Sequence, residues 1–480
     1  MTGGQPVDGT LTVPQIVAQV DAEGATKIVI VTDEPEKYDG VKLVGDVPVY
    51  HRNDLDRVQR ELRLVKGTSI LIYDQTCATE KRRRRKRGAF PDPAKRVVIN
   101  EAVCEGCGDC SVKSNCLSVE PLETEFGTKR QINQSTCNKD YSCLNGFCPS
   151  FVTVEGGQLR KPKTAQVDSS ELPPLPEPAL PAIARPYGIL VTGVGGTGVV
   201  TIGALLGMAA HLENKGVTTL DVTGLAQKGG AVTSHVQIAL QPEDIHATRI
   251  AMGDARVVIG CDAITTASDD TLSRVQHGVT NIVVNSAHTP TADFIRNPNW
   301  RFPGTSTEHD IRAAAGENVD FVDANHLSLR LLGDTIYTNP FVLGYAWQKG
   351  WVPLSYAALT RAIELNGVAV EKNKQAFEWG RRAAHDLASV RKLAQQNEAP
   401  APAAAGGKLI TLHTPHALDR LIERRYDQLV AYQDRAYAER FKQTVDRVRA
   451  AEAGLTPEGM PMPLRSEEHT SELQSRQYLV

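Results

Sequence analysis

Seven of the nine cysteines fall between Cys104 and Cys148, at spacings that suit metal ligands better than disulfides. The first group reads Cys104-x2-Cys107-x2-Cys110-x5-Cys116. Three thiols so spaced let one short loop wrap a corner of an iron–sulfur cubane and offer three thiolates to three irons. The fourth ligand must come from elsewhere, and in two-cluster modules a Cys followed by Pro supplies it. Cys148-Pro149 fits that role. The second group, Cys137-x2-Asp140-x2-Cys143-x4-Cys148, has an aspartate where a middle cysteine would stand. A first cluster is therefore expected on Cys104, Cys107, Cys110 and Cys148. A second is expected on Cys137, Cys143 and the remote Cys116, with Asp140 as candidate fourth ligand. A carboxylate is a harder, more labile iron ligand than a thiolate, so such a site could drop to three irons or stay vacant. Zinc is the competing reading, but it favours two CxxC pairs, and the second pair does not occur. The isolated Cys77 and Cys261 read as buried core thiols.

The other chemistry-bearing pattern is Gly193-Val194-Gly195-Gly196-Thr197-Gly198, placed between an expected strand and an expected helix. In that setting bare backbone NH groups and a helix N-terminus can hold a phosphate. Asp221 ends the next expected strand, where a ribose-binding acid would sit. The alternative is that the glycines only permit tight helix–strand packing or a protein contact. A second pair, Lys228-Gly229-Gly230, could bring backbone close to a ligand or another domain.

The elements that position these groups are legible in outline. Apolar runs Ile28–Val31 and Ser69–Tyr73 read as strands with a helix over Leu55–Leu64 between them, an open α/β pattern. The basic run Lys81–Arg87 leads into the cysteines. It reads as a solvated face, or else as a patch steering an acidic electron carrier. Glu171–Pro186 is a proline-rich, extended connector. A second α/β pattern follows: strand Gly188–Thr192, helix Val199–Asn214, strand Thr218–Val222, a strand-like Ala231–Leu240, and strands at Val257–Gly260 and Asn281–Asn285. The low-complexity hinge Glu398–Gly407 precedes a helical piece rich in Arg and Tyr. Arg465–Ser475 spells RSEEHTSELQS, a translated sequencing adapter by its look, and is set aside.

A chain of 480 residues calls for several domains. With a net charge of −3, no global field invites nucleic acid or a membrane surface. No apolar run approaches the roughly 20 residues that span a bilayer. Nor does the N-terminus read as a secretory signal, which points to the cytoplasm.

Taken in order, the segments VCEGCGDC (Val103–Cys110), CNKDYSCLNGFCPS (Cys137–Ser150), GILVTGVGGTGVVTIGALL (Gly188–Leu206), GLAQKGGAVTSHVQI (Gly224–Ile238) and AIELNGVAVEKNKQAFEWGR (Ala362–Arg381) resemble one family. It is the fused, thiamine-dependent indolepyruvate ferredoxin oxidoreductases, within the 2-oxoacid ferredoxin oxidoreductases. The helical His413–Phe441 resembles that family's tail, and the likeness runs to about Leu464.

The resemblance implies a multi-domain α/β protein. Residues 1–96 would be the C-terminal remnant of a thiamine-pyrophosphate-binding α/β domain, and 97–160 a ferredoxin-like module for 4Fe-4S clusters. Residues 161–186 would be a linker and 187–397 a Rossmann-like, gamma-type catalytic domain. A second linker at 398–410, the helical tail at 411–464 and the adapter-derived 465–480 complete the chain.

It also implies a reaction: oxidative decarboxylation of an aryl 2-oxo acid to an acyl-coenzyme A on thiamine pyrophosphate and Mg, with electrons leaving through iron–sulfur clusters to ferredoxin. In such a family Gly193, Gly195, Gly196, Thr197, Gly198, Lys228, Gly229 and Gly230 shape the substrate side or a domain contact, not a nicotinamide site. The GDG segment and the downstream Asn of a thiamine site do not occur in residues 1–78. The chain is thus expected to be a C-terminal fragment, inactive alone, whose partner is the N-terminal thiamine-binding portion of the same enzyme, a homo-oligomer when full length. The alternative is a stand-alone iron–sulfur electron-transfer protein with a nucleotide-binding domain.

Overall fold

The computed structural model describes residues 9, 11–124, 126–157, 173–224, 230–289, 294, 297, 302–396 and 417–453. Expectations for Lys228, Gly229, the hinge 398–407 and the adapter-like 465–480 fall outside them. Residues Met1–Asn397 form one compact unit and Glu398–Val480 another. The expected boundaries at 96, 160 and 186 all lie inside the first.

The N-terminal part is a three-stranded parallel sheet of order β2-β1-β3, from β1 (Lys27–Thr32), β2 (Val49–His51) and β3 (Ser69–Asp74). Successive strand side chains point to opposite faces. Accordingly Ile28 and Ile30 pack on Val17 of helix α1 (Val13–Ala22), while Val29 and Val31 pack on Val58 of α2 (Leu55–Leu62). Both faces are covered, so β1 is apolar at every position after Lys27 except its last. The basic run then forms helix α3 (Ala78–Lys86).

The cysteine segment folds as two similar halves. In the first, β4 (Lys95–Ile99) leads through the Cys104–Cys110 loop into α4 (Asp109–Ser114) and β5 (Val119–Thr124). In the second, β6 (Gly127–Ile132) leads through the Cys137 loop into a 3₁₀ turn (Ser142–Leu144) and β7 (Phe151–Glu155). β4 pairs antiparallel with β7 and β5 with β6, so each half is stitched to the other.

The largest domain is a six-stranded sheet of order β13-β12-β11-β8-β10-β9. β8 (Tyr187–Val194), β11 (Ala255–Gly260), β12 (Asn281–Asn285) and β13 (Val319–Val322) run parallel. β10 (Ala231–Ala239) lies antiparallel between β8 and β9 (Gly216–Thr223). Alternation again divides the core. Ile189, Val191, Val257, Ile259 and Val283 face helix α5 (Val199–Leu212) and the helices between Ala324 and Gln396, and Leu190, Val258, Ile282 and Val284 face the opposite layer. The described part of the proline-rich connector runs beside this domain. The Pro173 and Pro176 carbonyls accept from Arg382 and Gln348, and Ile183 packs on the core.

On one face, helices Thr338–Gln348 and Val370–His385 cross closely at Gly344 and Gly380. A Cβ on Gly344 would meet the Phe377 carbonyl oxygen, and one on Gly380 the Phe341 carbonyl oxygen. Backbone atoms cannot rotate aside. Either Gly344→Ala or Gly380→Ala is expected to force the helices apart and cost about 1–3 kcal/mol, read as a lower denaturation midpoint by far-UV circular dichroism.

In the second unit, helices Ala417–Tyr432 and Arg435–Ala453 form an antiparallel hairpin, tied by Tyr426–Glu439 and Arg449–Asp419 contacts. No helix among the described residues is long and apolar enough to cross a membrane.

Candidate functional site

The first half of the cysteine module lends a residue to the second. Cys116, which follows α4 in the first half, lines one pocket with Cys137, Asp140 and Cys143 of the second half. Val97, Val119, Ile132 and Tyr141 complete the wall. Burial raises the Cys137 and Cys143 thiols, and Cys143 is pushed up to about 12 by burial first, then by Cys116, Cys137 and Asp140 beside it. Burial thus favours the neutral thiol over the thiolate at both positions.

Cys104, Cys107 and Cys110 form the other group. Cys104 is buried, Cys110 half-buried and Cys107 exposed. All three act on the guanidinium of Arg130, which is 1% exposed. That cation lies 4.4 Å from the Phe294 ring centroid and donates to the Lys129 carbonyl. Burial lowers the Arg130 pKa and the nearby thiols counter the effect. Cys148 sits on a separate loop with its Sγ 3.0 Å from Ser150 Oγ. The Ser150 carbonyl accepts from Asn100 N, and the Asn100 carbonyl from Cys104 N, so two backbone links tie that loop to the first trio.

Backbone NH groups point at the sulfurs. Gly106 N donates to Cys104 Sγ, Ser118 N to Cys116 Sγ and Lys139 N to Cys137 Sγ, each at 3.4 Å. A donor two residues on favours a thiolate and sets the potential of a cluster bound to it. The donor set of thiols, one carboxylate and NH···S bonds therefore fits iron–sulfur ligation. Among the described residues no three His, Cys, Asp or Glu side chains close on a single metal ion.

Asp140 has two attachments. Besides lining the pocket, its exposed carboxylate accepts from Ser142 N and Ser142 Oγ, as an aspartate in a turn does. Its neighbours Lys139 and Tyr141 both adopt left-handed backbone, with φ of 54° and 60°. Two such non-glycine residues around one carboxylate are strained, and strain of that kind gathers at functional sites.

The glycine turn is placed differently from a dinucleotide cradle. Gly193 lies in β8 against Val199 and Cys261, and Gly198 precedes α5. Gly195 N donates to Gly230 O and Thr197 N to Val194 O, so two turn NH groups are already used. The Gly196 and Thr197 carbonyls accept from Arg83 and Asn339. Asp221 is exposed on edge strand β9, with β10 between it and the strand bearing the turn. That is about 9–10 Å across the sheet, too far for the ribose role its sequence spacing suggested.

Two other expectations need correction. Cys77 is not in the core but half-buried at the start of α3, whereas Cys261 is buried as expected. The basic run is not simply a solvated face, because Lys81, Arg82, Arg83, Arg85 and Lys86 all bond to other parts of the chain. Sequence reasoning missed Arg130 entirely. It stands in a polar hairpin strand, and nothing in its spacing marks it as buried.

Residues 188–383 match the family described as pyruvate ferredoxin/flavodoxin oxidoreductase, and residues 418–465 match a family of unknown function (DUF6537). Over 200 residues, 41% of this chain and 97% of the relative, it is 25% identical to indolepyruvate oxidoreductase subunit IorB of Methanothermobacter thermautotrophicus. Over 208 residues, 42% and 98%, it is 27% identical to the same-named subunit of Pyrococcus horikoshii. Among solved structures it is similar to pyruvate oxidoreductase subunit PORC of Thermotoga maritima, with 19% identity, a TM-score of 0.30, and coverage of 41% of this chain and 96% of that one. A second is the 2-oxoglutarate:ferredoxin oxidoreductase of Magnetococcus marinus, at 17% identity and a TM-score of 0.31, covering 42% and 31%. The domain at 188–383 is thus that of a 2-oxoacid ferredoxin oxidoreductase. It is through this part that the chain is similar to the indolepyruvate oxidoreductase subunits.

The first cysteine loop has one unforgiving point. Gly106 has a φ of +73°, and a Cβ there would run into the Thr128 carbonyl oxygen. Gly146, by contrast, has room, with only Lys113 Cγ at 3.8 Å. After anaerobic reconstitution, Gly106→Ala is expected to bind about half the wild-type iron or less, and Gly146→Ala the wild-type amount, by colorimetric iron assay.

Proposed function

We propose that this chain is the electron-transferring and gamma-type portion of an indolepyruvate-type 2-oxoacid:ferredoxin oxidoreductase. In this reading an aryl 2-oxo acid and coenzyme A are the substrates and ferredoxin is the acceptor. Thiamine pyrophosphate and Mg would be held by a further thiamine-binding portion of the same enzyme. The observation that carries the reading is the exchange of Cys116 into the Cys137–Asp140–Cys143 pocket, beside a domain of this family. Two-cluster modules are built by such an exchange, and the two similar halves make the reciprocal assignment natural. Cys104, Cys107 and Cys110 would then be completed by Cys148.

A bound iron–sulfur cluster supplies one-electron transfer. The chain's own residues do the rest. The loops hold the thiols apart, NH groups stabilise the thiolates, and the Arg130 guanidinium offsets negative charge at the first group. Asp140, which lines the pocket while its carboxylate accepts from Ser142, would be the weakest ligand of the second.

Anaerobically purified protein is expected to contain iron and acid-labile sulfide and to give a reduced-cluster signal in low-temperature electron paramagnetic resonance. Stoichiometric zinc without sulfide would overturn the proposal. Cys116→Ala is expected to remove the second signal and leave the first.

Asp140→Cys should favour a four-iron second centre, and Asp140→Ala a three-iron or vacant one. Identical spectra in both variants and wild type would mean that Asp140 only shapes the turn. With indolepyruvate, coenzyme A, thiamine pyrophosphate and Mg, the 480-residue chain alone is expected not to reduce viologen. Turnover should appear when a thiamine-binding portion is added.

A further inference from the structure

Helix α3 reaches two regions of the fold with two pairs of cations. Arg82 Nη1 donates to the Thr136 carbonyl and Arg85 Nη1 to the Asn138 carbonyl, both at 2.6 Å. These carbonyls flank Cys137 on either side. One position further round the helix, Arg83 Nη2 donates to the Gly196 carbonyl at 3.1 Å and Lys86 Nζ pairs with Asp334 at 2.5 Å. Side chains three apart share a helix face. One face of α3 thus grips the cysteine loop, and the neighbouring face grips the glycine turn and the segment before helix Thr338–Gln348. Arg84 points elsewhere, exposed and paired with Glu80.

Arg82 does more than bond a carbonyl. Its guanidinium is half-buried; burial and then the neighbouring Arg83 oppose its charge, while Asp334, Cys137 and Cys116 favour it. An arginine does not lose its proton in a protein, so a fixed positive charge stands beside the second cysteine group.

We propose that α3 is the clamp of the second cysteine group: Arg82 and Arg85 fix the backbone around Cys137, and Arg82 sets the charge balance of the site. The mechanical half stands on the hydrogen bonds alone. The electrostatic half rests on the reading of Cys116, Cys137 and Cys143 as cluster ligands. Reduction adds one electron and so one negative charge to such a site, and an adjacent cation favours the reduced state. Arg82 is a positioning residue in this scheme, touching the ligand loop and not the reacting atoms.

The test uses the full chain with Arg82→Gln, Arg82→Lys, Arg85→Gln and, as control, Arg84→Gln. In the iron-free proteins, hydrogen–deuterium exchange is followed at residues 134–139, with protection in β8 and β11 confirming that each variant is folded. Arg82→Gln and Arg85→Gln are expected to speed exchange at 134–139 several-fold, and Arg84→Gln to leave it unchanged. Unchanged exchange in both overturns the clamp.

In the iron-loaded proteins, anaerobic redox titration monitored by electron paramagnetic resonance gives the potential of each centre. For Arg82→Gln the reduced-to-oxidised ratio of the second centre at fixed potential should fall about tenfold, or 59 mV for a one-electron couple. The first centre should not move, and Arg82→Lys, which keeps the charge, should restore most of the ratio. A second centre of the same potential in Arg82→Gln and wild type overturns the electrostatic half. If wild type carries no second centre, the cluster reading falls and the electrostatic half with it, and the exchange data alone decide the clamp.

Discussion

A segment running from Lys95 to Glu155 that buries only Val97, Ile99, Cys104 and Val119 as apolar side chains cannot hold seven cysteines in place by hydrophobic packing. Small units of this kind need staples, whether disulfides, metals or contacts with neighbours. The described cysteines are free thiols, so no disulfide serves and contacts with neighbours must contribute. The module's order comes from its two antiparallel strand pairs and from cations that reach into it from outside. That dependence explains why a run of seven basic residues lies immediately before it. Arg82 and Arg85 of that run supply the bonds to the Thr136 and Asn138 carbonyls.

The same constraint governs charge. Thiols gathered in a half-buried pocket resist ionisation, chiefly through burial and then through one another, as the raised Cys137 and Cys143 record. Each group has a guanidinium assigned to it, Arg130 for the first and Arg82 for the second. Arginine suits the position better than lysine. Its planar fork bonds a carbonyl while its charge is spread and weakly hydrated, which lowers the cost of burying it. Arg130 also stacks on Phe294, whose ring face offers negative potential without a second ionised group. An isolated buried cation would be strongly unfavourable, and the three cysteines beside Arg130 offset part of that cost.

Much of the scaffold was legible because strands covered on both faces leave an unbroken apolar run. Ile28–Val31, Val257–Gly260 and Asn281–Asn285 were placed within a residue or two of β1, β11 and β12 for that reason. Strand order was not legible, since it depends on contacts far apart in sequence. Asp221 looked like a ribose-binding acid by its distance along the chain, and only the insertion of β10 beside β8 rules that out. The basic run was misjudged on composition. Charge alone cannot distinguish an arginine facing water from one donating to a carbonyl 54 residues away, as Arg82 does to Thr136. Cys116 was expected in the far group from spacing alone; the structure gives it a pocket shared with Cys137 and Cys143, which is a matter of position and not of ligation. The partner carbonyls and the buried Arg130 left no mark in the spacing.

The glycine turn gains its meaning from the same helix. A phosphate cradle presents NH groups outward, yet this turn uses Gly195 N and Thr197 N internally and offers its Gly196 and Thr197 carbonyls to Arg83 and Asn339. Outward carbonyls make the turn an acceptor for cations and amides, the reverse of an anion site. Because Arg82 and Arg83 are adjacent on one short helix, a displacement of the turn that moves Arg83 must also move Arg82, and with it the Thr136 carbonyl next to Cys137. A nine-residue helix is stiff on that scale. The glycines permit a backbone shape whose carbonyls meet the arginines, and through them the geometry of the α/β domain bears on the cysteine loop.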